Sequence, residues 1–261
     1  MTTQIDMDAL GVTLAEIRAY VENGEFDYLR HRDQFIIAGT AHDQVVPEGV
    51  SNPYWEIVRL LPSIDDRWMG DGITPTGYYA GLSVGRTKLV STYSWSIPTP
   101  GDITWIAGVL NGRAVVEVGA GSGYWAWQLA QAGVDVVAYE PNDVTDNTFV
   151  EITEPYYPLL RDDASAAGKH PDRALLLSWP SYSDPWASHA LSAYEGDLLL
   201  YVGEGESGCC ADDAFFELLD AEWTEIGRSP HHVTWWGIHC RLIAYERTAN
   251  RREEPAGGEA L

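Results

Sequence analysis

The chain has 261 residues, enough to bury a full core and better suited to one large domain with an elaborated end than to two independent ones. It carries 16 Lys plus Arg against 39 Asp plus Glu, a formal net charge of −23, and Lys88 and Lys169 are its only lysines. That balance repels phosphate backbones and anionic lipid surfaces and argues against a nucleic-acid or membrane partner.

Cys209, Cys210 and Cys240 cannot build a disulfide framework and show no metal-ligand spacing, so no metal is expected. The start, MTTQIDMDAL, is polar, and no stretch approaches the length of a membrane span, so a cytoplasmic location is expected. Thr13 and Glu16 form a capping-box pattern ahead of Leu14, Ile17 and Val21, which predicts a short amphipathic helix. A second helix is expected from Asn52, with Pro53 at its first position and Trp55, Val58 and Leu61 on one face, ending before Pro62. Residues 63–95 mix Trp68, Tyr78, Tyr79, Tyr93 and Trp95 with Gly, Pro and Thr and read as an irregular, aromatic-rich cover. A third helix starts at Thr99-Pro100, turns Ile103, Ile106 and Leu110 inward, and stops at Asn111-Gly112.

The chain then reaches the stretch around which it is organised, AVVEVGAGSGYW, residues 114–125. Ala114 to Val118 is a short apolar run, interrupted by Glu117, of the kind a strand covered on both faces needs. Gly119, Gly121 and Gly123 let the backbone turn sharply and pass close to a ligand. From Tyr124 the apolar residues recur at helical spacing until Gly133. A second strand, Asp135 to Tyr139, delivers Glu140 at its carboxyl end, 21 residues after Gly119, where an α/β domain places the carboxylate that takes ribose hydroxyls. A dinucleotide fingerprint would need glycine at position 124, which is tyrosine.

The pattern from Glu117 to Gly123, E-x-G-x-G-x-G, resembles the first motif of the class I methyltransferases. The resemblance covers about residues 92 to 247 and implies S-adenosylmethionine as cofactor. It implies a methionine-end turn of Glu117, Gly119, Ala120, Gly121 and Gly123, with Glu140 on the ribose and Tyr93 among the aromatic residues flanking the site. Tyr157 to Leu160 is a candidate third strand, and Asp162-Asp163-Ala164 follows it. An acidic residue followed by alanine lies beside the adenine in that family, which makes Asp163 and Ala164 candidates, although a polar loop with a helix cap explains them equally well.

Ala174 to Leu177 reads as a compact strand, Asp184-Pro185 as the start of a helix through His189 to Tyr194, and Leu198 to Val202 as a fifth strand. Ala211 to Trp223 reads as helix, then Trp223 to Ile226 and roughly Thr234 to Glu246 as strands. From Ala249 onward the composition reads as a disordered tail. The fold expected is a doubly wound, mostly parallel α/β sheet of seven strands, order 3-2-1-4-5-7-6, closed by an antiparallel hairpin. The organisation expected is a helical and aromatic-rich cap over 1–91, the cofactor-binding domain over 92–247, and the tail over 248–261.

Ser178 to Tyr182 lies at the edge of the fourth strand, where ligands of open α/β sheets bind. Amino-methylating members of the family carry D/N/S-P-P-Y/F there; Ser178, Pro180 and Tyr182 approximate it, with a residue inserted. A neutral amine needs no strong base, whereas a hydroxyl acceptor would call for one, and His231 and His232 are the candidates. Eleven tryptophans and fourteen tyrosines, among them Trp55, Trp95, Trp179 and Trp235, could line a pocket for a flat or apolar substrate or simply fill the core. The expected activity is methyl transfer to a small molecule or peptide, nitrogen slightly favoured over oxygen. An O-methyltransferase, a nucleic-acid base methyltransferase and an inactive cofactor-binding module are the alternatives, and the oligomeric state is open.

Overall fold

In the computed structural model the described residues are 36–37, 41, 43–59, 63–64, 86–235 and 237–248. The first expected helix, Trp68, Tyr78, Tyr79, Trp236 and the tail from Ala249 lie outside them. The elements are β1 (Ile36–Ile37), α1 (Pro53–Val58), β2 (Ser63–Ile64), α2 (Arg86–Thr92), α3 (Pro100–Leu110), β3 (Val115–Val118), α4 (Tyr124–Gln131), β4 (Val136–Tyr139) and β5 (Leu159–Leu160). After a 3-10 turn at Ala164–Lys169 come β6 (Ala174–Ser178), α5 (Trp186–Ala193), β7 (Leu198–Gly203), α6 (Asp213–Glu222), β8 (Trp223–Arg228), β9 (Thr234–Trp235) and β10 (Arg241–Arg247).

The large sheet has seven strands in the order β5-β4-β3-β6-β7-β10-β8, and counted along the chain these are 3-2-1-4-5-7-6. The first five strands pair in parallel and β10 is antiparallel to both β7 and β8. All four residues of β3 and all six of β7 are buried, which is why these strands read as continuous apolar runs. One apolar layer joins Ile106, Trp125, Leu129, Leu176 and Leu242, and the opposite layer joins Val116, Leu177, Leu191, Leu199 and Phe215. The sheet is therefore covered on both faces, and its open edge lies at the carboxyl ends of the parallel strands.

A third apolar cluster holds Tyr54, Trp55, Leu89, Tyr93, Tyr124 and Trp235 and seats α1 and α2 against the start of α4. Asn52 is its hinge. Its Oδ1 caps α1 by accepting from the Trp55 amide at 3.0 Å and also accepts from the Tyr124 hydroxyl at 2.9 Å, while its Nδ2 donates to the Pro98 carbonyl at 2.7 Å.

Three elements differ from expectation. Helix α2 lies where only irregular structure was expected, across the expected boundary at residue 91. Strand β5 has two residues where four were expected. The strand expected over 234–246 is two strands: Gly237 takes φ +76, the Ile238 amide donates back to the Trp235 carbonyl at 3.0 Å, and the chain turns. Strand β9 consequently pairs with β1 in a separate three-stranded sheet, order β2-β1-β9. No helix among the described residues is long and apolar enough to cross a membrane.

Candidate functional site

A cavity of about 1030 Å³ opens beyond the carboxyl ends of β3, β4 and β6, lined there by Gly119–Ser122, Glu140–Asn142 and Ser178–Trp179. This is the crevice where an open parallel sheet binds its ligand. Of the residues singled out from the sequence, Tyr93, Glu117, Gly119, Ala120, Gly121, Glu140, Asp163, Ala164, Ser178 and Tyr182 line it. Gly123, Pro180, His231 and His232 do not.

The turn after β3 is built from the backbone. Ala120 donates its amide to the Tyr139 carbonyl at 3.0 Å and Gly123 to the Ala120 carbonyl at 2.8 Å. Gly119 has φ +70, and a Cβ there would come within 2.6 Å of the Trp186 ring. Gly123, at φ +75, meets the other side: a Cβ would press on Leu159 Cδ2 and on the Tyr157 amide at 3.2 Å, so its bareness seats the turn against β5. Gly123 caps α4 without a side chain, and Glu117 supplies what it lacks. The buried Glu117 Oε2 accepts from the first-turn amide of Ala126 at 3.0 Å. Burial pushes this carboxyl up to about 8, an effect the Ala126 amide opposes and the Glu140 carboxylate reinforces.

Glu140 is 5% exposed, and its Oε2 accepts from the Gly121 amide at 2.9 Å. Its Oε1 accepts from the Asn142 amide and from Asn147 Nδ2, each at 3.3 Å. Burial raises its pKa while the Gly121 and Asn142 donors and Arg161 pull it down. Asp163 lines the cavity, and its Oδ1 caps the 3-10 turn by accepting from the Ser165 amide at 2.9 Å. The hydrogen bonds from Ser165 lower its pKa. Tyr93 stacks on Tyr54 at 5.0 Å, and its carbonyl accepts from the Ser122 hydroxyl.

At the end of β6, the Ser178 and Ser96 hydroxyls share a hydrogen bond at 2.9 Å, and Trp125 Nε1 donates to Ser96 at 2.9 Å. Tyr182 stands at the rim, largely exposed. Pro180 must be corrected: it is buried, and its carbonyl accepts from the Ala211 amide at 3.0 Å, turned to the protein and not to the cavity. The two histidines must be corrected as well. The carbonyl of His231 accepts from Gln44 Nε2 at 2.8 Å and from Thr99 Oγ1 at 3.2 Å, which fixes the loop onto the start of α3. The His232 side chain is 6% exposed, with its Nδ1 bonded to Asp102 Oδ2 at 2.8 Å and its Nε2 bonded to Cys240 Sγ at 3.3 Å. In this Cys-His-Asp line the Cys240 thiol is buried, its pKa is raised by that burial, and it does not line the cavity at the ends of β3, β4 and β6.

Residues the sequence did not single out also line it, among them Asn147, Phe149, Trp186 and His189. Asn147 and Phe149 sit in an irregular stretch with no periodic signal, and Trp186 and His189 sit on a helix whose apolar residues read as core.

The strand order is the one that the resemblance to the class I methyltransferases implied, and the glycine turn stands at the end of β3. No protein-family model matches the chain, and no curated protein matches it. Among solved structures it is similar to magnesium protoporphyrin IX methyltransferase from Synechocystis PCC 6803 with bound S-adenosylhomocysteine, at 15% identity and TM-score 0.41, covering 70% of this chain and 94% of that one. It is also similar to the 1,6-didemethyltoxoflavin-N1-methyltransferase of Burkholderia thailandensis with bound 1,6-didemethyltoxoflavin and S-adenosylhomocysteine, at 17% identity and TM-score 0.38, covering 57% and 77%.

Proposed function

We propose that the chain is an S-adenosylmethionine-dependent methyltransferase acting on a small-molecule or peptide acceptor, with nitrogen favoured over oxygen. The observation that carries this reading is the pairing of the bare turn at Gly119–Gly121 with the Glu140 carboxylate across one cavity. The cavity fits the cofactor chemically. A turn with no Cβ at Gly119 and Gly121 admits the methionine end, the Glu140 oxygens can accept from ribose hydroxyls, and Asp163 can accept from an exocyclic amine. When bound, the cofactor supplies a sulfonium methyl group, an electrophile that a neutral amine attacks without a strong base. The protein's task is alignment and the exclusion of water, and the walls around Trp95, Trp179 and Val150 suit it. Nitrogen is favoured because neither of the two histidines considered as bases, His231 and His232, lines the cavity. The division into a cap over 1–91 and a cofactor-binding domain over 92–247 belongs to this proposal.

Calorimetric titration with S-adenosylhomocysteine and with NAD tests the cofactor. The expected result is binding of the first and none of the second; tight NAD binding without S-adenosylhomocysteine binding refutes the reading. Glu140→Ala is expected to weaken S-adenosylhomocysteine by about 1–3 kcal/mol, since two hydroxyls lose a charged acceptor and the Gly121 amide loses its brace. Unchanged affinity together with a normal thermal transition would remove Glu140 from the site.

A further inference from the structure

One wall of the cavity is aromatic to an extent that holding the cofactor does not require. Trp95 and Trp179 stack with ring centroids 6.1 Å apart and planes 20° from parallel, and Phe149 meets Trp95 edge-on at 6.3 Å. Trp95 is 40% exposed, Phe149 52% and Tyr182, on the rim, 68%, so large apolar rings face solvent together at one mouth. A soluble protein that leaves such a patch open has a use for it.

The backbone holds this wall at a cost. Trp179 takes φ +51 and Ser183 φ +54, a region that bulky L residues avoid. Both are pinned: the Trp179 amide donates to the Val202 carbonyl at 2.7 Å, the Ser183 amide to the Ala211 carbonyl at 2.8 Å, and Ser181 bridges to Cys210 between them. The strained residue is the one that puts an indole beside Trp95 at the end of β6. Charge adds an independent constraint. Asp146, Asp163, Asp184 and Glu140 line the cavity, and among the described residues no lysine or arginine does. A carboxylate or phosphate brought against this wall would lose its water and meet no lysine or arginine, His189 being the one basic side chain among the described lining residues, whereas a cation would be drawn in by the carboxylates and held by ring faces.

We infer that the acceptor is a planar aromatic molecule bearing positive charge or none, bound against Trp95, Trp179 and Phe149, and that carboxylated or phosphorylated acceptors are rejected. That this ligand is the methyl acceptor rests on the methyltransferase reading; the selectivity of the aromatic wall does not. The test is a calorimetric panel on the full chain saturated with S-adenosylhomocysteine, using 9-aminoacridine as a planar cation, acridine-9-carboxylate as an anion on the same ring system, and spermidine as a cation without rings. The expected order is 9-aminoacridine tighter than either of the others by about tenfold or more. Trp95→Ala should weaken 9-aminoacridine by about tenfold with S-adenosylhomocysteine affinity unchanged. Equal binding of the carboxylate, equal binding of spermidine, no binding of 9-aminoacridine, or indifference to Trp95→Ala would each overturn the inference. Failure of S-adenosylhomocysteine to bind would instead overturn the cofactor reading, and the same panel on the protein alone would still decide the selectivity of the wall.

Discussion

Glu117→Gln is expected to flatten a pH dependence of stability that the native chain carries. The Glu117 carboxyl lies buried beneath the glycine turn, and burial lifts it to about 8 from an ordinary 4.5. Below pH 4.5 it is protonated in both folded and unfolded chains and contributes no pH dependence. Between 4.5 and about 8 the unfolded chain releases the proton while the folded chain retains it, so stability falls as pH rises, by up to about 1.4 kcal/mol per pH unit. Above that window both states are ionised and the slope vanishes. A glutamine removes the titration yet keeps an oxygen to accept from the Ala126 amide, so the variant should match the native chain near pH 5 and exceed it by a few kcal/mol near pH 8. Urea midpoints for both proteins across this range check the expectation. Curves that stay parallel would mean that the carboxyl titrates alike in folded and unfolded chains.

Asp102→Ala should cost about 3 kcal/mol and lower the thermal midpoint by roughly 6–12 °C, with affinity for S-adenosylhomocysteine unchanged. Asp102 is fully buried on α3; its Oδ2 bonds His232 Nδ1 and its Oδ1 accepts from the Ser229 hydroxyl at 2.5 Å. Truncation strands both partners, and His232 is too enclosed for water to replace the carboxylate. Asp102→Asn keeps one acceptor and should cost less. A thermal midpoint within a degree or two of native for Asp102→Ala would show that His232 finds another partner. By the same geometry, His232→Ala should act on stability and not on the pH dependence of turnover, because the ring is tied to α3 and does not line the cavity.

The parallel core was legible because its signals are local. Val115–Val118, Ala174–Leu177 and Leu198–Gly203 are buried and, Glu117 aside, read as apolar runs, and the alternating glycines mark a backbone conformation that side chains resist. Pro100 after Thr99, and Asn111 before Gly112, bracket α3 with chemistry readable one residue at a time. Helix α2 was not legible: RTKLVST has no cap pattern and is held by packing of Leu89 and Val90 against the aromatic cluster. The strand break at Gly237 was hidden because alternation continues across it, and β9 leaves the large sheet to pair with Ile36–Ile37, some two hundred residues earlier.

By itself, then, the amino-acid sequence determined the succession of strands and helices from α3 to β8, the turn at Gly119–Gly123 and the arrival of Glu140 beside it, because each depends on residues close together in the chain. The tertiary structure alone decided which polar groups were already spent. Only packing showed that the Pro180 carbonyl belongs to Ala211 and that His232 belongs to Asp102, 130 positions away. Only packing brought Trp95, Phe149 and Trp179 to one wall. The physical reason is that a hydrogen bond or a ring contact between distant segments leaves no periodicity in either segment, so the residues that meet at the aromatic wall are specified by the fold as a whole.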